Sequence, residues 1–269
     1  MAFTHGITIK EQPTSVVAPT QADSAIPFVV GTAPINLSTA GAPVNKPILA
    51  YTFAEAVAAL GYSDDWESYT LCEFIYSHFK LYGLAPVVLV NVLDPTIHKS
   101  AVTSTTVPMS NRVTTIAVEG ILLDSLVVKS ADGSTTYVKG TDYTTAFNDD
   151  GYVVITGKTS GAIAADTASV SVSYNKLNPG AVDADDIIGG VGIDGTVTGL
   201  ELINQVYPRF GVLPGFVLAP GWSDKPTVAS VMVAKAGNIN GNFKAMALTD
   251  IPTDSVTTYT DAPNWKGQN

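Results

Sequence analysis

Residues 68–90 read SYTLCEFIYSHFKLYGLAPVVLV, and this stretch decides the fold class of the 269-residue chain. Its first part has apolar side chains at intervals of three and four residues, which predicts a helix with one apolar face, ended by Gly83. Its second part, residues 86–90, is typical of a strand buried on both faces. A helix followed by a buried strand indicates an α/β protein. The apolar face of the predicted helix consists of Leu71, Phe74, Ile75, His78, Phe79 and Tyr82.

The region before this stretch has the same alternation of strand and helix. Residues 25–31, AIPFVVG, predict a short buried strand. Thr52 and Glu55 have the spacing of a capping box, in which the threonine closes the helix start and the glutamate reaches back. We therefore expect a helix that begins after Thr52 and stops at Gly61.

The last third of the chain returns to this alternation. Thr198 and Glu201 fit a second capping box, which predicts a helix that continues to residue 210. Asp224 is expected to cap a third helix, because Pro226 suits a first helical turn. The other predictions are strands at residues 213–219 and 243–248, and neither a closing strand nor a closing helix over residues 250–269.

Residues 99–178 have a different pattern, without helical periodicity and rich in Thr, Ser and Val. Asp132-Gly133 and residues 148–151 each lie between alternating segments, which predicts two hairpin turns. Residues 168–174, ASVSVSY, alternate as a half-buried strand does. We therefore predict an all-β module of six or seven strands, sandwich or barrel-like, inserted into a mixed-sheet α/β domain.

The chain is therefore predicted to have three units. Residues 21–98 and 179–269 form the split α/β domain, and residues 99–178 form the inserted module. Residues 1–20 form an extended N-terminal arm, because Pro13 and Pro19 prevent a continuous helix.

Composition limits the classes of function. The formal net charge is −10, and an acidic protein repels phosphate backbones, so we expect no nucleic-acid partner. Cys72 is alone, which excludes an intrachain disulfide. The longest apolar stretch, residues 84–93, is shorter than the roughly 20 residues of a membrane span. No secretory signal opens the sequence, so we expect a protein made without export and without membrane insertion.

Residues 190–195, GVGIDG, match the dinucleotide pattern GxGxxG. That motif needs a buried strand before the glycines and a helix directly after them. The preceding residues, 183–188, are acidic, the next predicted helix begins only near Thr198, and no acid lies about 20 residues further on to hold a ribose. We interpret the segment as a structural loop and keep a nucleotide-binding α/β enzyme as the alternative.

No set of residues for catalysis or metal binding emerges. His5, His78 and His98 are scattered, with His78 expected as a core histidine, and Cys72 is expected to be a buried, unreactive thiol. The aspartates at 64–65, at 149–150 and at 183, 185 and 186 fit solvated turns. We therefore expect no enzyme, no cofactor and no metal. A further alternative is an adhesin whose Thr-rich β module binds glycans. The missing export signal counts against this alternative.

Long segments of the chain resemble the contractile phage tail sheath family. The most specific part runs from PRFG at residue 208 through APGWS at residue 223. The match excludes the β module, which varies within that family. The matching segments are MAFTHGITIKEQPTSV at 1–16, AIPFVVGTAP at 25–34, SYTLCEFIYSHFKLYGLAPVVLVNVLDP at 68–95, DIIGGVGIDG at 186–195, TGLELINQVYPRFG at 198–211 and LPGFVLAPGWSDKPTVASVMVAKAGNINGNFKAMALTDIP at 213–252.

The resemblance implies a structural subunit of a sleeve that polymerises around a tail tube and contracts to drive the tube through the host envelope. It implies partners: neighbouring sheath subunits, the tail tube protein, and baseplate and tail terminator proteins. It implies a place in the virion tail after assembly in the bacterial cytoplasm. Family members usually continue past residue 269, so the α/β domain is expected to be incomplete at its C-terminal end.

The resemblance also implies that terminal arms cross to neighbouring subunits and add strands to their sheets. In this sequence the strand-forming parts of the arm are expected at residues 6–11 and 15–17, with Pro13 and Pro19 as breaks. The predicted contact residues are Gly6, Ile7, Thr8, Ile9, Lys10, Glu11, Ser15, Val16 and Val17.

Overall fold

A computed structural model of the protein describes residues 26–268. The strands within this range are β1 Ile26–Gly31, β2 Ile48–Ala50, β3 Val87–Asn91, β4 Lys99–Pro108, β5 Val113–Ile116, β6 Val127–Ser130, β7 Thr136–Tyr137, β8 Tyr143–Phe147, β9 Val153–Gly157, β10 Ser169–Leu177, β11 Gly190–Val191, β12 Val197–Thr198, β13 Pro214–Leu218 and β14 Met246–Ala247. The α-helices are α1 Phe53–Leu60, α2 Thr70–Ile75, α3 Ala184–Ile188, α4 Val206–Phe210, α5 Pro226–Gly237 and α6 Ala262–Gln268.

A five-stranded mixed sheet holds the first and last parts of the described chain together. Its order is β14-β13-β1-β3-β2, in which β2 alone runs antiparallel to its neighbour. Every residue of β1 and β3 is buried, as expected for the middle strands of a parallel sheet. With α1, α2 and α5 packed against it, the sheet confirms the predicted α/β class.

Residues 99–177 form two further sheets. One has the order β4-β10-β6-β7 and the other β5-β9-β8, and all of their pairings are antiparallel. They enclose a hydrophobic cluster separate from that of the five-stranded sheet, with Val128, Ile155 and Val172 in its centre. Gly133 and Gly151 lie in the turns of two hairpins, both with φ near +75°.

The seam between these two regions is packed and hydrogen-bonded. Leu177, the last residue of β10, is buried in the cluster of the five-stranded sheet, with Leu122 against the same cluster. The Ser63 hydroxyl donates to a Glu119 carboxylate oxygen at 2.9 Å. Apolar and polar contacts therefore join the β sheets to the α/β part of the chain.

The predicted helix over residues 71–82 differs from the observed one. After α2 the chain continues as a π-helical segment, Tyr76–Leu81. Phe79 still packs against the core, whereas Tyr82, which ends the wider π-helical segment, falls out of the 3.6-residue repeat. The prediction is therefore wrong for Tyr82, which is 73% exposed, and right for Leu71 and Ile75, which are fully buried.

Two predicted helix caps are also wrong. The Thr198 hydroxyl caps no helix and instead accepts from the Gly190 backbone N–H at 3.1 Å, because β12 pairs with β11. The segment after it, Gly199–Gln205, is a 3-10 helix that leads into α4. Asp224 lies one residue too early, since Pro226 is the first residue of α5 and Lys225 therefore occupies the cap position.

Helix α1 begins at the predicted capping box. Thr52 caps α1 by accepting from the Glu55 N–H at 3.2 Å, while the Glu55 carboxylate reaches back to the Tyr51 N–H at 2.7 Å. In β10, which pairs with both β4 and β6, the predicted alternation holds for the buried Val170, Val172 and Tyr174, and Ser171 alone departs from it by being buried as well. The expectation of no closing helix is wrong, because α6 lies in that segment.

Candidate subunit-contact surfaces

The predicted arm contacts lie outside the residues that the structure describes. They comprise residues 6–11 and 15–17, and they remain predictions. The described part has three exposed surfaces that are candidates for a contact, at the edge and at the two ends of the five-stranded sheet.

The strand β14 forms one edge of this sheet. It pairs with β13 through Phe216 and Val217, and within residues 26–268 no strand pairs with its other side. Met246 in β14 is 60% exposed, and Leu248 just after it is 41% exposed. A short edge with unpaired backbone groups and exposed apolar side chains can accept an added strand.

The carboxyl ends of β1 and β13 open into a cleft of about 660 Å³. Trp66 and Trp222 form its aromatic walls. Exposed carboxylates surround it, notably those of Glu67, Glu73 and Asp254. The edge of a parallel sheet at its carboxyl ends is where α/β proteins present surfaces to ligands.

Local hydrogen bonds fix the shape of this cleft. One Asp250 carboxylate oxygen accepts from the Gly221 N–H and from the Ser223 hydroxyl, both at 2.9 Å. The Lys225 ammonium lies 4.0 Å from the centroid of the Trp222 ring, so a cation already occupies one aromatic face. The chemistry of the cleft is thus acidic and aromatic, which suits a positively charged group.

The opposite end of the same sheet has the reverse charge. Arg209 lies in α4 just before β13, Lys244 lies just before β14, and both are exposed. Lys80 lies in the π-helical segment that leads to β3, with its ammonium 4.4 Å from the Phe53 ring centroid. The exposed apolar side chains at this end are Tyr51, Leu81, Tyr82, Leu84 and Tyr207.

Sequence reasoning did not identify these two surfaces. The acidic run beside Trp66, DDWE at residues 64–67, was the available signal for the cleft. The partner residues near 222 and 254 are far away in sequence, and only the parallel strand order brings them to one end of the sheet. The basic residues gave no signal, because each stands alone in its segment.

The glycine pattern at residues 190–195 lies on a small hairpin. Gly190 begins β11, and β12 returns antiparallel to it through Val197. The turn is closed by the Asp194 carboxylate, which accepts from the Thr196 N–H at 3.0 Å. A helix, α3, precedes the glycines where a dinucleotide motif needs a strand, so the geometry does not support the nucleotide alternative.

Helix α3 begins with a capping box that the sequence reading missed. The Asp183 carboxylate accepts from the Asp185 and Asp186 N–H groups at 2.8 and 3.2 Å, and Asp186 accepts from the Asp183 N–H at 3.0 Å. The pattern D-x-x-D has the spacing of a capping box, with Asp in place of Glu. These carboxylates therefore organise a helix start.

His98 joins this helix start to the seam. It is 6% exposed, its Nδ1 accepts from the Asp94 N–H at 3.1 Å, and its Nε2 lies 3.3 Å from an Asp186 carboxylate oxygen. Both ring nitrogens have partners, which makes this histidine a connector between β3, β4 and α3. His5 lies outside the described residues.

Cys72 and His78 lie on α2 and its π-helical continuation. Burial raises the pKa of the Cys72 thiol from its ordinary 9.0 to about 12, so its reactive thiolate is disfavoured. Burial lowers the pKa of the half-buried His78, whose ring stacks on Phe74 with centroids 4.9 Å apart. Both side chains pack within the fold and form no acid–base pair with each other.

Within residues 26–268, no group of three or more His, Cys, Asp or Glu side chains is arranged to hold a metal ion. The helices in that range are too short or too polar to cross a membrane.

Comparison with known proteins gives one informative match. No family model matches the chain. The chain is 27% identical over 250 residues, 93% of its length, to a tail sheath protein of Burkholderia phage BcepMu. The match covers 49% of that protein, so the chain spans about half the length of the curated relative it matches. The similarity confirms the resemblance that the sequence segments predicted: over most of its length the chain is similar to a phage tail sheath protein.

Proposed function

We propose that this chain is a structural subunit of a contractile tail sheath and that its work is mechanical rather than catalytic. The observation that carries the proposal is the similarity to a phage tail sheath protein over 93% of the chain. In this proposal the subunits polymerise around a tail tube, and their contraction drives the tube through the host cell envelope. The protein would assemble in the host cytoplasm and reside in the virion tail.

The proposed link between subunits is an added strand. Residues 6–11 and 15–17 of one subunit would pair with a sheet edge of the next, for which the unpaired side of β14 is the available candidate. Such a contact is heterologous, because one subunit donates the strand and the next subunit provides the sheet edge. Repeated with a rotation and a rise, a heterologous contact produces a helix rather than a closed dimer.

This link suits a sleeve that changes its radius. A backbone ribbon between subunits lets each subunit rotate without losing its neighbour. Contraction would be driven by apolar surface that becomes buried only in the contracted state, at roughly 25 cal/mol per Å². Tail tube, baseplate and tail terminator proteins are the proposed partners at the inner wall and at the two ends of the sleeve.

The experiment is negative-stain microscopy of the protein as its phage expresses it, with and without residues 1–20. Tubes of uniform width are expected from the intact protein and none from the deletion, while circular dichroism of the two is alike. A more specific test compares two double variants. One carries Ile7→Pro and Ile9→Pro, and the other carries Ile7→Val and Ile9→Val. The prolines remove backbone donors that a paired strand needs, and the valines keep them. Normal tubes from the deletion or from the proline variant would refute strand donation.

A further inference from the structure

The parallel strands of the five-stranded sheet have oppositely charged ends. The strands β1, β3, β13 and β14 run in the same direction. Residues just after any of these strands therefore lie at the carboxyl end of the sheet, and residues just before any of them lie at the amino end. Carboxylates predominate at the carboxyl end, which also carries the exposed Lys46 and Lys225, and cations predominate at the amino end, which also carries the exposed Glu55.

The carboxyl end carries the acids. Glu67 and Glu73 flank the start of α2, which is held to the end of β1 by the Leu71 N–H donating to the Thr32 carbonyl at 3.0 Å. Asp254 follows β14 and reaches the same cleft. These three carboxylates are exposed and surround the aromatic walls already described.

The amino end carries exposed cations and apolar side chains. Lys80, Arg209 and Lys244 precede β3, β13 and β14 respectively. Just after Lys80, Tyr82 is 73% exposed and Leu84 is 53% exposed. This end therefore offers both kinds of group that an acidic, aromatic cleft binds: cations for its carboxylates and ring faces, and apolar surface for its tryptophans.

We propose that the amino end of this sheet in one copy of the protein binds the carboxyl-end cleft of the next copy. The contact is head-to-tail and uses two different surfaces, so it leaves a free surface of each kind and builds an open chain of subunits. The complementary charges favour this orientation, since head-to-head and tail-to-tail encounters bring like charges together. The contact involves no residue of the arm, so it is a second link between subunits and does not depend on strand donation.

Sedimentation velocity of the 269-residue chain tests the contact. At about 20 mM salt we expect reversible association that grows with protein concentration, and at about 500 mM salt we expect dissociation, because screening weakens exposed ion pairs. A wild-type chain that stays monomeric at every concentration in low salt would overturn the proposal.

Charge reversal tests the orientation. The carboxyl-end variant carries Glu67→Lys, Glu73→Lys and Asp254→Lys, and the amino-end variant carries Lys80→Glu, Arg209→Glu and Lys244→Glu. Each alone is expected to associate at least about ten-fold more weakly than wild type, because both of its ends then carry charge of the same sign. An equimolar mixture of the two is expected to associate again, because the unchanged amino end of one variant complements the unchanged carboxyl end of the other, and the two reversed ends also carry opposite charges.

A matched control separates a local contact from net charge. Asp124→Lys, Asp149→Lys and Asp166→Lys change the net charge as much as the carboxyl-end variant does, on exposed positions of the β module. This control is expected to associate like wild type. If a triple variant does not fold, the single changes Glu73→Lys and Lys244→Glu serve the same mixing test. Equal weakening by the control, or a mixture that stays dissociated, would overturn the proposal, whereas loss of tubes on arm deletion leaves it untouched.

Discussion

The α/β region and the β module of this protein each bury a hydrophobic core, but they present very different surfaces. Residues 99–178 contain 6 Lys and Arg against 7 Asp and Glu, so nine of the ten net negative charges lie outside the module. In the α/β region, carboxylates predominate at one end of the five-stranded sheet and cations predominate at the other. The β module instead exposes uncharged Ser and Thr along β4. The comparison indicates that contacts requiring orientation belong to the α/β region.

The largest expected effects come from removing one buried side chain from each core. Phe28 in β1 and Ile155 in β9 are both fully buried. Phe28→Ala is expected to lower the free energy of unfolding by about 3–5 kcal/mol and Ile155→Ala by about 2–5 kcal/mol, because each leaves a cavity in a packed core. Urea denaturation followed by tryptophan fluorescence measures both.

The same measurement asks whether the two regions unfold together. All three tryptophans lie outside residues 99–178, so their fluorescence reports on the α/β region. We expect Ile155→Ala to lower the midpoint of the fluorescence transition, because Leu177 of the module is buried in the core of the α/β region. An unchanged fluorescence transition, with an earlier transition by circular dichroism, would show that the two regions unfold separately.

The next effect lies at the seam between the two regions. Gly120 has a φ of +77°, and an added Cβ would lie 3.2 Å from the Leu177 Cβ and from the Tyr69 hydroxyl. Gly120→Ala is expected to cost about 1–2 kcal/mol for the left-handed backbone and about 1 kcal/mol more for the crowded seam.

Gly133→Ala is the matched control for that change. Gly133 has a φ of +75°, and no atom lies within 4 Å of an added Cβ. This variant has the backbone strain without the crowding. The difference between the losses of unfolding free energy in the two variants therefore gives the cost of crowding at the seam. Equal losses for the two variants would mean that the seam accommodates a methyl group.

A smaller effect is expected at alkaline pH and involves the buried thiol of the α/β region. Burial raises the pKa of the Cys72 thiol from 9.0 to about 12 in the folded protein. A thiol that stays protonated when folded contributes stability below pH 9, and this contribution falls as the pH rises from about 9 towards 12, because the unfolded chain releases the proton first. The loss from this group between pH 8 and pH 10 is expected to be about 1 kcal/mol.

Cys72→Ala is the control for the alkaline effect. The raised pKa of Tyr62, about 12, also caused mainly by burial, is common to both proteins and cancels in the comparison. Urea denaturation at pH 8 and pH 10 is expected to show a smaller alkaline loss for Cys72→Ala than for wild type. An identical loss in both proteins would mean that the thiol does not contribute.

The sequence predicted local elements well where one short segment contains all the information. The strand IPFVVG and the cap at Thr52 need only their own neighbours, and both appear as elements of the fold. The π-helical turn after Ile75 and the pairing that engages Thr198 depend on distant contacts, so period and spacing alone misplaced them. The acidic cleft and the basic end were missed for the same reason, since the parallel strand order assembles each from separated segments.

The smallest expected effects compare two aspartates that precede helices. Asp183 accepts two backbone N–H groups at the start of α3, so Asp183→Ala is expected to cost about 1 kcal/mol. Asp224 was predicted to cap α5, but it makes no cap hydrogen bond, and one of its buried carboxylate oxygens has no partner within the described residues. Asp224→Ala is therefore expected to change stability by less than about 0.5 kcal/mol. Urea denaturation of the two variants side by side measures both changes in stability. A loss for Asp224→Ala as large as that for Asp183→Ala would support the cap predicted from the sequence, because removing a hydrogen-bonded cap costs about that much.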